Sequence, residues 1–389
     1  MLKRGLIFAI GLFLVSCSGE DKTVEPVVPS SFELKRSDFS VLAGWEKDDF
    51  RMFEKALGDV CDALQKMRQQ SLKSGVLEYS LVSYRKHCGK MAQIKDSNEL
   101  KAYIRQNFEP YAVIVNGSSY GKFTSYYEAN LRASFIREGK YQYPIYGKPK
   151  DLVEVNLRDF DAGLPDRRLV GRVKNGKLVK YYTRQEIDEG RLDAPVILWG
   201  DNPVDIYIMQ IQGAAVATLP DGKEIRVGYA DNNGHKFRGI GSILLEKGLI
   251  KPGEASMPKI RDWLQKNGDK AKRNMLLNDR YIFHKIVNAD GPIGAMGLPL
   301  VDHDGVTPLE GAKFEITDDN GNVIATETSG PDGEALNRVV MAEDVGSAIK
   351  GGIRGDYFWG HGEDALKYAG RMNSKGRYFI LLPKGTEVK

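Results

Sequence analysis

Asp344-Val-Gly-Ser-Ala-Ile-Lys-Gly-Gly-Ile-Arg-Gly-Asp-Tyr-Phe-Trp-Gly360 is the stretch on which the reading of this chain turns. Its glycines, at 346, 351, 352, 355 and 360, argue against a long helix and allow the backbone to approach a ligand or another strand closely. Asp356 stands beside Tyr357, Phe358 and Trp359, so a carboxyl sits next to bulky apolar surface. Such a setting favours the protonated, proton-donating form of a carboxyl group. Composition by itself reads the same residues as a tight loop that closes a β-hairpin on an aromatic anchor.

Working outward, the runs on either side are β-prone. Arg338–Ala342 leads into the stretch and Arg377–Leu382 reads as the last strand. Phe314–Thr317 and Val323–Thr326 flank Asp319-Asn-Gly-Asn322, a hairpin signal. Further upstream, Tyr111–Val115, Gly121–Glu128, Tyr143–Tyr146 and Leu152–Leu157 read as short strands. Asn175-Gly176, between Gly171–Lys174 and Lys177–Tyr182, predicts a two-residue hairpin turn. Asp205–Gln212 is read as a strand with Gln210 and Gln212 on one face, and Val216–Leu219 and Glu224–Tyr229 as a pair turning through Pro220-Asp-Gly222. Helical spacing appears at Lys47–Gln70 and Asn98–Asn107. Thr183 with Glu186 forms a capping box for a short helix, and 235–248 and 256–277 read as longer ones. Many short strands with Gly-rich turns give a mainly β chain with helical excursions, closer to barrels than to a layered α/β fold.

The chain has 389 residues, enough for two domains. Its 42% hydrophobic and 28% charged residues are ordinary for a globular protein. The net charge of +4 is too small to argue for nucleic acid, and no basic cluster is interleaved with aromatics. The five histidines have no metal-site spacing, no Cys-x-x-Cys occurs, and no phosphate-binding glycine loop appears. A zinc site and a nucleotide cofactor are therefore not expected.

Lys3 and Arg4 precede an apolar run, Gly5–Val15, that is short for a membrane span and reads as a secretory signal. It ends in Leu14-Val-Ser-Cys17, which resembles the lipobox of bacterial lipoproteins. The resemblance implies a signal over 1–17, lipidation of Cys17 and, with Ser18 next, an outer-membrane anchor facing the periplasm. Residues 18–36 read as a polar, Pro-containing tether. In an oxidising compartment Cys61 and Cys88 either pair or remain two buried thiols; spacing does not decide.

For chemistry, no Gly-x-Ser-x-Gly elbow is present, and carboxylates in glycine-rich or turn contexts remain: Asp304, Asp344 and Asp356. Aromatic platforms, amides for hydroxyls and an Asp to protonate a glycosidic oxygen together fit a carbohydrate. Phe123–Glu128, Gln142–Tyr146, Met209–Gly213, Gly228–Gly234, Gly239–Gly241, Gly294–Pro299 and Asp344–Gly360 occur in an order that resembles the membrane-bound lytic murein transglycosylase A family, across roughly residues 110–385. The resemblance implies a double-psi β-barrel domain built from the N- and C-terminal parts (37–127 and 281–389) with a smaller β-barrel domain inserted (128–280). It implies cleavage of the β-1,4 bond between N-acetylmuramic acid and N-acetylglucosamine in peptidoglycan, leaving a 1,6-anhydro end.

By the same resemblance Asp356 is the catalytic residue, supported by Asp344 and Asp304. Thr124, Tyr126, Gln212, Lys350 and Trp359 are expected to contact the glycan strand. Ser125, Ala129, Ala214-Ala215 and Ser347 depart from the family pattern. They leave an alternative: a catalytically impaired, peptidoglycan-binding scaffold lipoprotein.

Overall fold

Fourteen residues, Gly121–Ser134, form the longest strand and hold the molecule together. They belong to a computed structural model that describes residues 31–50, 53–67, 71–74, 77–165, 167–289, 291–294, 314–315, 323–344 and 353–386. The signal, Cys17, Asp304, Lys350 and the turn Asp319–Asn322 lie outside the described residues.

The expected tether is shorter than 18–36. Phe32–Arg36 forms strand β1, paired antiparallel with β4 (Phe108–Val115) from Phe32↔Val115 to Arg36↔Tyr111. Phe32 and Leu34 alternate onto the core, which is why this end of the polar segment is ordered into the sheet. Helix α1 runs over Phe53–Lys66 and buries Leu57, Val60, Cys61 and Leu64. It starts later than expected because Phe50 takes a left-handed φ of 55° and turns its ring into a cluster with Trp45 and Phe53.

A hairpin of β2 (Ser71–Ser74) and β3 (Leu77–Ser80) leads into α2 (Leu81–Met91). The sequence reading missed α2, although Leu81, Tyr84, Cys88 and Met91 bury one helical face. Cys61 and Cys88 are disulfide-bonded with Cα atoms 5.4 Å apart, which ties α1 to α2. Helix α3 (Ser97–Asn107) starts where Asp96 accepts from the Asn98 and Glu99 amides.

Strand β5 is Gly121–Ser134. After it come β6 (Tyr143–Tyr146), β7 (Val153–Asn156), β8 (Arg168–Lys174) and β9 (Lys177–Lys180). The β8–β9 turn is as expected: Lys174 pairs with Lys177, and Asn175 (φ 52°) and Gly176 (φ 72°) supply the two positive φ angles of a tight hairpin. The capping box also forms, with Thr183 and Glu186 starting α4 (Arg184–Asp188). Strand β10 (Val196–Gly200) joins β6 to the end of β5.

Asp205–Gln212 is not a strand. Pro203–Gln212 is helix α5, capped by Asn202 at its start and by Gly213 (φ 89°) at its end. Val204 through Gln210 are all buried, so the helix is covered on every side and shows no 3.6-residue apolar stripe. Gln210 and Gln212 consequently do not share a face.

Strands β11 (Ala215–Thr218) and β12 (Glu224–Asn232) pair through the expected turn at Gly222 (φ 82°). Helix α6 covers Ile240–Glu246, less than 235–248. The 256–277 helix is two, α7 (Met257–Lys266) and α8 (Gly268–Met275), broken where Gly268 takes φ 42°. Strand β13 (Ile282–Val287) then pairs with β12.

The C-terminal part adds β14 (Phe314–Glu315), β15 (Val323–Ser329), β16 (Ala335–Leu336), β17 (Val339–Asp344), β18 (Arg354–His361), α9 (Gly362–Ala369) and β19 (Ser374–Pro383). Among the described residues, the strands of two expected hairpins do not pair with each other. Strand β14 pairs with β17 and β18, not with β15. Strands β17 and β18 are separated by β14 and are not hairpin neighbours; residues 345–352 between them lie outside the described residues. Among the described residues the main path is β1-β4-β19-β15-β17-β14-β18-β5-β11-β12-β13, a mixed sheet that makes the chain mainly β.

Within it β5 serves twice. Its first half pairs parallel with β18 and its second half with β11 and β10. Two apolar clusters result, a large one spanning both ends of the chain and a small one around Tyr281 and Phe283.

Burial shapes the acid response of this fold. His284 on β13 is 1% exposed, and desolvation pushes its imidazole from 6.5 down to about 3. Between those values the unfolded chain binds a proton that the folded chain refuses. The stability is therefore full above the unfolded value and is lost as pH falls towards 3, at up to about 1.4 kcal/mol per pH unit. In denaturant titrations repeated at decreasing pH, His284→Phe is expected to flatten this acid limb; an unchanged slope would assign the acid sensitivity elsewhere.

Candidate active site

Strand β18 reads Arg-Gly-Asp-Tyr-Phe-Trp-Gly-His and lies between β5 and β14. Register sets Asp356 opposite Thr124 on β5 and Glu315 on β14. Asp356 is 7% exposed. A charged carboxylate there is costly unless hydrogen-bonded. The Thr124 hydroxyl donates a short hydrogen bond to Asp356 Oδ1. Arg354 Nη2 in turn donates to Thr124 Oγ1 at 2.6 Å. The guanidinium occupies a lone pair of the hydroxyl, which leaves the hydroxyl hydrogen for the carboxylate. Arg354 is itself steadied by the carbonyls of Gly355 and Lys122.

Side chains alternate along β18. Asp356 and Phe358 share one face with Thr124 and Tyr126 of β5, and the Tyr126 and Phe358 rings lie 5.2 Å apart. Tyr357 and Trp359 take the other face. Tyr357 is fully buried, its hydroxyl bonded to Thr326 Oγ1, and burial pushes its phenol upward. Trp359 does not serve as the expected sugar platform. It is 3% exposed, and its ring stacks on Tyr368 of α9 at 5.6 Å with a 9° interplanar angle, so its face is already covered.

The remaining expected residues fall in different places. Gln212 ends α5, and its Oε1 accepts from the Tyr127 amide at 3.3 Å, which brings it beside Tyr126. Asp344 ends β17 and pairs in register with Glu315. Backbone positions 344, 315, 356 and 124 thus form one row across β17, β14, β18 and β5. Asp304 and Lys350 are outside the described residues.

The sequence reading missed Arg354, which was legible, two residues before Asp356 and so on its face of a strand. Among the described residues no group of three or more His, Cys, Asp or Glu could hold a metal ion.

The buried position of Trp359 makes a distinct prediction. Trp359→Ala is expected to lower unfolding stability by about 3–5 kcal/mol, as large aromatic-to-Ala changes in cores do. Chemical denaturation checks it, and an unchanged stability with lost saccharide affinity would restore the platform role.

Residues 122–285 match the MltA-specific insert domain and residues 306–382 match the 3D domain. The crystal structure of MltA from Neisseria gonorrhoeae in its monoclinic form is 30% identical with a TM-score of 0.75, covering 92% of this chain and 94% of that one. The membrane-bound lytic murein transglycosylase from Agrobacterium tumefaciens is 28% identical with a TM-score of 0.77, covering 90% of this chain and 98% of that one. Membrane-bound lytic murein transglycosylase A of Escherichia coli (strain K12) is 30% identical over 274 residues, 67% of this chain; the match spans 65% of that relative's length. With its insert, its C-terminal domain and nearly its whole fold shared in this way, the chain belongs to the membrane-bound lytic murein transglycosylase A family.

Proposed function

We propose that this protein is a peptidoglycan lytic transglycosylase in which Asp356 acts as acid and then as base. The observation that carries the proposal is the Arg354–Thr124–Asp356 chain on neighbouring central strands. Asp356, protonated, gives its proton to the glycosidic oxygen as the C1–O4 bond between N-acetylmuramic acid and N-acetylglucosamine breaks. The carboxylate so formed takes the proton from the muramic acid 6-hydroxyl as O6 bonds to C1. The products are a free 4-hydroxyl and a 1,6-anhydro ring; Asp356 is protonated again and no water is consumed. An intramolecular hydroxyl gains from proximity, and one carboxyl suffices for both transfers.

Thr124 holds Asp356, and Tyr126 and Gln212 flank it as substrate contacts. Lys350 and Asp304 are proposed to complete the site, with Asp344 supporting the row of strands. The domains are proposed to divide as a double-psi barrel (37–127 and 281–389) and an insert (128–280), the boundary falling within β5, with a glycan groove between. The curated relatives' name, membrane-bound, supports membrane association. We propose that lipidated Cys17 provides it, at the outer membrane. No helix among the described residues is long and apolar enough to cross a bilayer.

Two of the departures from the family pattern, Ser125 and Ala129, are compatible with an active enzyme. Ser125 turns its hydroxyl to the Ala369 carbonyl at 3.0 Å, and Ala129 is 2% exposed beside Ala215. Both are absorbed by packing, away from Asp356.

Digestion of purified sacculi followed by mass analysis of the ends tests the proposal. Anhydro ends are expected, and Asp356→Asn is expected to lower their release at least about a thousandfold while binding to sacculi persists. Thr124→Val should lower kcat about tenfold, with Thr124→Ser close to the parent. Reducing ends would make the protein a hydrolase. Full activity of Asp356→Asn would remove Asp356 from the chemistry.

A further inference from the structure

Strands β7, β8 and β9 form a small sheet of their own. On one face of β8, Arg168 bonds Asp231 and Glu154, Val170 packs on the Tyr281–Phe283 cluster, and Arg172 lies 4.3 Å over the Tyr182 ring. That face meets the body of the protein. The opposite face carries Leu169 and Val173 of β8, Val153 and Val155 of β7 and Leu178 of β9, brought together by the pairs Val155↔Leu169 and Val173↔Leu178. None of these five belongs to a core cluster or packs against one. Val173 is 61% exposed and Leu178 41%. A half-buried sheet ordinarily presents polar residues on its outer face.

The same segment is strongly basic. From Arg167 to Lys180 it holds Arg167, Arg168, Arg172, Lys174, Lys177 and Lys180 and no acid. Arg168 is paired inward. Arg167, Lys174, Lys177 and Lys180 are exposed and have no ion pair among the described residues.

We propose that this face and the β8–β9 hairpin tip dock on an anionic phospholipid bilayer, with Val173 and Leu178 entering the headgroup–acyl boundary, and with Lys180 on the same face and the exposed pair Lys174 and Lys177, at the tip but on the other face, reaching lipid phosphates. Exposed aliphatic side chains beside cations that can reach the headgroups are the combination that lies in such an interface. The proximity rests on the proposed anchor at Cys17, from which the chain to Phe32 reaches at most about 50 Å. Docking would hold the insert against the membrane while the anchor alone would leave the body free to tumble.

A nitroxide at position 173 tests this in the full acylated chain. The sequence's three cysteines are Cys17, Cys61 and Cys88; acylation and the disulfide block them, so Val173→Cys supplies the one thiol to label. Val173 is exposed, so the change leaves the core intact. In vesicles of phosphatidylglycerol and phosphatidylethanolamine the label is expected to gain access to oxygen and lose access to an aqueous nickel complex. In vesicles of phosphatidylcholine alone it stays aqueous. Lys174→Glu with Lys177→Glu is expected to lower the docked fraction at least about tenfold. Flotation and the mass of the N-terminal peptide report the anchor separately. An aqueous label on floated, anionic vesicles overturns docking and leaves the anchor standing. Binding to sacculi that depends on Lys174 and Lys177, with the label still aqueous, would assign the face to carboxylated stem peptides and also overturn it.

Discussion

The parallel pairing of β5 with β18 is the constraint on which the rest depends. It joins residues 232 apart in sequence, Thr124 and Asp356, and it sets which face Asp356 takes. Two glycines allow it. A Cβ on Gly121 would fall 1.8 Å from the Ile353 carbonyl oxygen, and one on Gly376 would meet the Glu327 carbonyl and the Phe123 ring. Gly121 and Gly376 are themselves register partners on β5 and β19. Three strands therefore close on one point with no room for a side chain. A slip of one residue between β5 and β18 would turn Asp356 to the opposite face, where Tyr357 and Trp359 now pack. The glycines fix the site by fixing the register.

Much of this was legible locally and little of it globally. The hairpin at Asn175-Gly176 and the capping box at Thr183 and Glu186 depend on neighbouring residues alone, and both form as read. Helix α5 was misread because period says nothing about a segment buried on all sides. Its end signals, Asn202-Pro203 and Gly213, were present and are those of a helix. The place of β14 between β17 and β18 has no local signal; it follows from pairing across the chain. In the site, Asp356 stood out through its motif, and Arg354 could have been found from strand alternation. The Thr124 hydrogen bond could not, because nothing in the sequence states the β5–β18 register. Trp359 was misassigned for a related reason. An aromatic run in a loop offers faces to a ligand, whereas in a central strand alternation sends every second ring into the core.

Two other buried aspartates, Asp231 and Asp48, show by contrast what distinguishes Asp356. Burial raises the carboxyl of Asp231, but hydrogen bonds with Glu154, Lys148 and the Asn232 amide and the charge of Arg168 together hold it below the usual range. Asp48 accepts from the backbone amides of Phe50 and Val339 and from Arg338, while burial pushes its carboxyl up. Backbone amides only donate. They suit a carboxylate and leave a protonated acid with a clash of hydrogens. Asp356 is held by a hydroxyl, which can donate to the carboxylate and, after turning, accept from the acid. Arg354 keeps Thr124 in place in either state by binding its oxygen. Of these three sites, the one at Asp356 includes a hydroxyl partner that tolerates both protonation states, as the proposed acid-then-base role requires.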